Sequence, residues 1–315
     1  MMNMSVTAGI DLYLRKHPNL AESSVAIKSR AAGEFVKFQG DIRAEQVTGE
    51  MVEDFRTWLL KDERGKVTAN IYLANLAPIF GWLNAKGYIK TNPFYGVQKF
   101  RAERKVRPIF TREEIERILT VAGARWRAIV LLSVRHSLRR SEALNICRED
   151  IQGEWLHIKP KKKDKSHWPW SIKNHAEAMI KISPPLAQAI SEVLVDVPMA
   201  QPYIVVRPQT YRRMMHLQAE NSLHWKLRGC PYSNFNRTWH KLLERASVPM
   251  RRYQDLRGSY SMVLKRAGLP LDEIQKLMRH STLQTTQQFY LRYDGQELAA
   301  KSENIFAQFY TSQEV

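Results

Sequence analysis

The sequence predicts a mainly α protein with a small β-sheet, built as two domains. A helical domain spans residues 1–100, an α+β domain spans 108–315 and ends in a C-terminal helix, and a basic linker at 101–107 joins them. Three observations carry this. Apolar residues recur at helical spacing through the first hundred positions, as in Ile71, Leu73, Leu76, Ile79, Phe80 and Leu83. The pattern stops at Asn92-Pro93, and the following segment holds Lys99, Arg101, Arg104, Lys105 and Arg107 with Glu103 as its single acid. Beyond it, two short runs rich in Trp and Ile flank a turn of lysines, as a hairpin would within an otherwise helical chain.

Taken in order, Ile10, Leu12, Tyr13 and Leu14 mark a short first helix ending near His17-Pro18. A second helix is expected from Ser23 to Phe38. Thr48 caps a third through Leu60, and a fourth runs from Thr68 to Lys86. Thr111-Arg112-Glu113-Glu114 has the form of a capping box and opens a helix through Leu119. The apolar stretch Ala128–Val134 is a helix leading into Leu138-Arg139-Arg140-Ser141-Glu142. Trp155–Ile158 and His167–Ile172 are expected strands on either side of the lysine turn. From Pro184 the pattern is helical again, apart from an extended or turning segment around Ala200–Pro208. A last helix is expected from about Gln296 to Phe309.

Apolar residues at 44% and charged residues at 25% describe a globular chain, and its length accommodates two ordinary cores. The run Ala128–Leu132 is far shorter than the roughly 20 apolar residues that span a bilayer, so no membrane partner is expected. Met1-Met2-Asn3-Met4 leads into no apolar signal core, and Cys147 and Cys230 are too few for a disulfide framework or a cysteine metal site. A reduced, cytoplasmic location is the expectation. The net charge is +18, and it is uneven. Residues 1–100 hold 13 Lys/Arg against 10 Asp/Glu, and the remainder holds 36 against 21. A basic surface of this size attracts polyanions, nucleic acid first among them.

The chemistry-bearing residues form an ordered set. Arg139 comes first; Gln254-Asp255-Leu256-Arg257, Leu277-Met278-Arg279-His280-Ser281 and Thr285-Thr286-Gln287-Gln288-Phe289-Tyr290 follow. Two arginines hold the non-bridging oxygens of a phosphodiester, a histidine donates to one of them, and a tyrosine supplies the nucleophile. A phenol with pKa about 10 costs roughly 4 kcal/mol to ionise at pH 7, so the attack needs nearby positive charge or a proton acceptor.

This ordered set resembles the tyrosine recombinase (phage integrase) family. Leu138, Arg139, Ser141, Glu142, Ile146 and Asp150 match its first-arginine pattern, with Ser137 in place of the usual glycine. Gln254-x-x-Arg257 resembles its His-x-x-Arg box, with a glutamine that cannot titrate where His or Lys is usual. Leu277–Ser281 resembles Leu-x-Gly-His-Ser with Arg279 in place of glycine. Nine residues after His280, where the family's tyrosine usually stands, is Phe289; Tyr290 follows at ten and Tyr293 is the alternative.

The resemblance implies a SAM-like helical core-binding domain and a catalytic domain that clamp duplex DNA, with catalytic residues Arg139, Lys161, Gln254, Arg257, His280 and Tyr290. Lys161 is chosen as proton donor to the departing 5′ oxygen because it stands eight residues before Pro169; Lys163 and Lys165 compete with it. Lys99, Arg101, Arg104, Lys105, Arg107, Lys162, Lys163 and Lys165 are the candidate DNA-backbone contacts. Neither metal, nor ATP, nor any other cofactor is implied. The resemblance further implies four copies acting on two DNA sites, a nucleoid-associated place in the cytoplasm, and accessory DNA-bending or directionality proteins as further partners. It also implies that the helix from about Gln296 to Phe309 is suited to exchange between neighbouring copies, or equally to packing on its own domain. The alternatives are a nicking and closing enzyme of type IB topoisomerase kind, and a DNA-binding regulator that has lost catalysis.

Overall fold

The computed structural model describes residues 4–61, 65–102, 108–172, 177–221, 231–280 and 282. The chain divides into two compact units, Met1–Lys105 and Val106–Val315.

The described residues of the first unit form four α-helices: α1 (Val6–Lys16), α2 (Glu22–Gln39), α3 (Gly49–Lys61) and α4 (Lys66–Ala85). Their ends follow local chemistry. Ser5 accepts from the Ala8 N–H at 3.2 Å, Thr48 Oγ1 accepts from the Met51 N–H at 3.2 Å, and Gly40 leaves α2 at φ 78°. His17 precedes Pro18, which disfavours helical backbone, and α1 stops there. Phe35 sits between Phe55 and Phe80 in edge-to-face contact, with centroids 5.1 and 6.1 Å away, and Leu59, Leu76, Ile79 and Leu83 close the core. The segment after Asn92-Pro93 is tied back at Phe100. Its N–H and carbonyl both bond the Asn70 amide, and the Arg56 guanidinium lies 4.2 Å from its ring centroid.

In the second unit, α5 (Arg112–Val121) opens on the expected capping box: Thr111 Oγ1 accepts from Glu114 N, and Glu114 Oε2 accepts from Thr111 N. The apolar stretch belongs to α6 (Ala124–Val134), which starts a turn earlier than the hydrophobic pattern, after Gly123. Ala128–Ser133 are all buried, so this stretch of the helix is enclosed on every side and forms the centre of the unit. Around it stand α7 (Arg140–Leu144), α8 (Pro184–Val195) and α11 (Asp255–Arg266). Among the described residues, the remaining α-helices are α9 (Pro208–Ala219), α10 (Phe235–Arg245) and α12 (Leu271–Met278).

The sheet is small and antiparallel in the order β1 (Ile151–Gln152), β2 (Trp155–Ile158), β3 (Ala178–Lys181), with Leu156 opposite both Ile151 and Ile180. The mainly α chain with a small sheet is therefore as expected, but one strand is not. His167–Ile172 does not join the sheet. It meets the lysine side of its turn through one bridge, Lys161 N to Trp170 O at 2.8 Å and Trp170 N to Lys161 O at 2.9 Å. Pro169 lacks the N–H a ladder needs, and the Trp168 ring turns inward to stack on Tyr203 with centroids 3.7 Å apart. The third strand is Ala178–Lys181, whose short mixed sequence carries no strand signal. Ala200–Pro208 turns as expected, held by the Gln201 amide donating to the Tyr203 and Val206 carbonyls. Among the described residues, no helix is long and apolar enough to cross a membrane.

Candidate active site

The end of α6 sets the site. Ser137 N bonds Ser133 O at 3.0 Å and Leu138 N bonds Leu132 O at 2.9 Å, a nested closure that puts Ser137 at φ 57°. Leu138 is then buried, and Arg139 becomes the N-cap of α7. Glu142, in the first turn of α7, accepts from the Arg139 N–H at 2.8 Å and from Arg139 Nη1 at 2.8 Å. The i,i+3 spacing of Arg139 and Glu142 thus serves a cap and an ion pair at once.

Two further helices bring the partners. Arg257, in the first turn of α11, is 1% exposed. Its Nη1 donates to the Ser137 carbonyl, and its Nη2 donates to the Met278 carbonyl at 2.8 Å and to His280 Nε2 at 3.3 Å. Because a guanidinium can only donate, that last contact makes Nε2 the acceptor and leaves the imidazole proton on Nδ1. Just past α12, Arg279 stands in left-handed backbone at φ 53°, ψ 47°. Its Nη2 donates to Glu142 Oε2 at 2.5 Å and to the Ser137 carbonyl at 3.1 Å, and its own carbonyl accepts from Arg139 Nη2 at 3.2 Å. Both positions where this chain departs from glycine, Ser137 and Arg279, are at positive φ.

Arg139, Arg257 and Arg279 therefore crowd around the Glu142 carboxylate. Burial pushes the Glu142 carboxyl up, but Arg279, the Arg139 N–H and the Arg139 guanidinium outweigh it and hold the group below its ordinary range. Burial and the neighbouring Arg139 push the Arg257 guanidinium down. The cluster carries excess positive charge and is poised for an anion. In front of it lies a cleft of about 370 Å³ lined by Arg139, Arg140, Ser141, Asn236, Arg252 and Gln254, with Tyr253. Gln254 is exposed at its edge. Tyr253 anchors the start of α11, donating its hydroxyl to the Ile129 carbonyl at 2.7 Å and meeting Trp239 edge-on.

Among the expected site residues, Arg139, Arg257 and His280 come together, and Gln254 shares the cleft with Arg139. Lys161 does not stand free at the turn; its side chain is buried, and its ammonium lies 2.5 Å from both Asp150 oxygens. The bridge to Trp170 turns this residue inward, and burial demands a counter-charge. Lys162, Lys163 and Lys165 are exposed at the turn, with Lys163 Nζ on Asn221 Oδ1 at 3.2 Å. Lys99 and Arg101 are exposed; Arg104, Lys105 and Arg107 lie outside the described residues, as do Tyr290, Tyr293 and the expected helix at 296–309. Cys147, Glu149 and His167 offer atoms within 4.8 Å of one another, but both imidazole nitrogens of His167 are engaged, with Glu149 at 2.7 Å and Asp164 at 3.0 Å.

Sequence reasoning missed the Arg279 side chain and the braces behind Arg139. Asn145 donates to the Ser141 carbonyl and the Tyr232 hydroxyl and accepts from Trp168 Nε1 at 2.8 Å, tying α7 to the lysine turn. A cation at a glycine position was the available signal for Arg279. Nothing in the sequence linked Asn145 with Trp168.

The profile of the Phage integrase family matches residues 108–297. A protein named "Tyrosine recombinase XerC-like" from Caldanaerobacter subterraneus subsp. tengcongensis is 25% identical over 293 residues, covering 83% of this chain and 74% of that one. A solved fragment of the Tn1549 transposon integrase, in complex with a circular intermediate DNA, superposes with a TM-score of 0.70 at 16% identity, over 96% of this chain and 99% of that one. A lambda integrase tetramer bound to a Holliday junction gives 0.66 at 13% identity, over 91% and 77%. At those identities the structural likeness is one of fold. The family match covers most of the second unit and contains every residue of the arginine cluster, so the chain belongs to the phage integrase family, the tyrosine recombinases, enzymes that cleave and rejoin DNA strands.

Proposed function

We propose that Arg139, Arg257 and His280 hold a phosphodiester of duplex DNA and that Tyr290 is the nucleophile. The phenolic oxygen bonds to phosphorus as the bond to the 5′ oxygen breaks, leaving a 3′-phosphotyrosyl link and a free 5′ hydroxyl. That hydroxyl then attacks the phosphotyrosyl bond of the partner strand. The energy of the phosphodiester is kept in the covalent intermediate, so no ATP is spent. The observation that carries this reading is the convergence of two guanidiniums and an imidazole, from α7, α11 and the end of α12, on one cluster of excess positive charge beside an open cleft. Such fixed charge stabilises the added negative charge of pentacoordinate phosphorus. His280, whose Nε2 accepts from Arg257, keeps its Nδ1 proton to donate to a non-bridging oxygen. Gln254 serves as a neutral hydrogen-bonding group at the cleft edge.

For the proton on the leaving 5′ oxygen we favour Lys163 or Lys165 over Lys161, because withdrawing a buried ammonium from Asp150 costs several kcal/mol. Residues 1–100 serve as a core DNA-binding domain, and Lys99, Arg101, Arg104, Lys105, Arg107 and Lys162 as backbone contacts along linker and turn. The lambda integrase of similar fold is a tetramer on its Holliday junction, and we propose four copies of this chain on two DNA sites, in the cytoplasm with the nucleoid.

A suicide duplex nicked beside the scissile phosphate tests the reading. The native protein is expected to form a covalent adduct and Tyr290→Phe none, with DNA affinity unchanged within about twofold. An adduct that survives in Tyr290→Phe and disappears in Tyr293→Phe moves the nucleophile. No adduct from the native protein makes it a DNA-binding regulator, and adduct without joining between two duplexes makes it a nicking and closing enzyme.

A further inference from the structure

We infer that Arg279 is a third guanidinium of the phosphate site: a positioning residue that holds Glu142 against Arg139 and supplies positive charge that the neutral Gln254 does not. The inference rests on the proposed function and deepens it.

The backbone argues first. At φ 53° a side chain with a Cβ is strained, and glycine would relieve it. An arginine held there is compensated by what its side chain does, and the contacts are specific. Nη2 takes the Glu142 oxygen that also caps Arg139, and it shares the Ser137 carbonyl with Arg257. The Arg279 carbonyl in turn fixes Arg139 Nη2. Arg139 is thus held at both ends of its fork, by Glu142 and by the Arg279 backbone, and Glu142 is held by Arg279.

Burial argues next. The Arg279 side chain is only 12% exposed, and its Nη1 is buried without a hydrogen-bond partner. Leaving such a donor unpaired is costly, and an anion at the cluster reduces the cost through its field. Charge argues last. Three guanidiniums face one carboxylate, an excess of about two charges, and pentacoordinate phosphorus carries two negative charges. Burial and Arg139 push the Arg279 guanidinium down, only partly offset by Glu142, so an added anion is favoured by it as well.

Arg279→Gly is the variant of choice because glycine keeps the left-handed turn. On the nicked phosphodiester it should form adduct roughly 100-fold more slowly than the native protein. On the same duplex with a methylphosphonate at the scissile position, which removes one negative charge, the native and Arg279→Gly proteins should differ by less than about threefold. Gln254→Lys should restore at least about tenfold to Arg279→Gly on the phosphodiester, and far less to the native protein. A defect equal on both substrates means a structural brace only and overturns the inference, as does the absence of any defect. A readout without cleavage separates the inference from the reading beneath it. Inorganic phosphate should raise the melting temperature of the native protein clearly more than that of Arg279→Gly. Equal shifts overturn the inference even if the adduct forms through Tyr290. Unequal shifts with no native adduct leave the anion role standing and remove the tyrosine chemistry.

Discussion

Arg139 and Arg257 reach the same cluster by different routes, and their loss should therefore look different. Arg139 sits at the cleft with its side chain 20% exposed, whereas Arg257 is enclosed and donates to two carbonyls that end helices, Ser137 and Met278. Either change to alanine should slow adduct formation by roughly 100- to 1000-fold, since each strips charged donors from the transition state. Arg257→Ala should also unfold more easily, by about 2–3 kcal/mol and more than Arg139→Ala, because it empties a fully buried volume and removes the guanidinium donor to the Met278 carbonyl. Chemical denaturation of both variants checks this, and equal stabilities would mean that Arg257 is not part of the scaffold. The turn lysines separate by a substrate with sulfur in place of the bridging 5′ oxygen, a better leaving group that needs little protonation. The lysine whose alanine variant is slow on oxygen and nearly normal on sulfur is the donor, expected to be Lys163 or Lys165. The same pattern in Lys161→Ala would show that the Asp150 pair opens on DNA.

Helix ends are the elements on which this site depends. The nested closure of α6 places Ser137 at φ 57°, where glycine is unstrained, and its carbonyl is the acceptor for Arg257 and Arg279. Ser137→Gly should stabilise the protein by about 0.5–1 kcal/mol, the relief of left-handed strain less a weak bond from Ser137 Oγ to Met278 Sδ. A thermal melt reads this directly, and a lower melting temperature would mean that the hydroxyl matters more than the backbone. The capped helices were legible because a cap is a contact three residues long: Thr111 with Glu114, Thr48 with Met51. The hairpin was only half legible. Its turn and first strand stood out, but the inward Trp168 and the absent Pro169 N–H remove the second strand from the ladder.

For the whole molecule, charge is the property that reaches furthest. Residues 101–315 hold 36 Lys/Arg against 21 Asp/Glu, and Arg140 and Arg252 stand at the cleft itself. DNA affinity should fall steeply with salt, each neutralised phosphate contributing roughly 0.9 to the slope of log affinity against log salt. A slope corresponding to several phosphates is expected in a fluorescence anisotropy titration, and a flat dependence would contradict a clamp on the duplex. The break at Asn92-Pro93 and the basic run after it precede the point where the two compact units, Met1–Lys105 and Val106–Val315, divide. Phe100 is tied to the first unit by a contact with Asn70 that no local pattern announces.

By itself the sequence determined the class of the chain, most of its described helices and the order of its arginine, histidine and tyrosine motifs. Those depend on periodicity, on caps and on short spacings such as Arg139 to Glu142, which neighbours along the chain enforce. Tertiary structure alone decided the rest. It turned Lys161 onto Asp150, put two non-glycine residues in left-handed backbone, and brought Arg279 from 137 positions away onto Glu142. Which cation a buried carboxylate takes depends on what else has been excluded from water around it, and only the packed unit defines that.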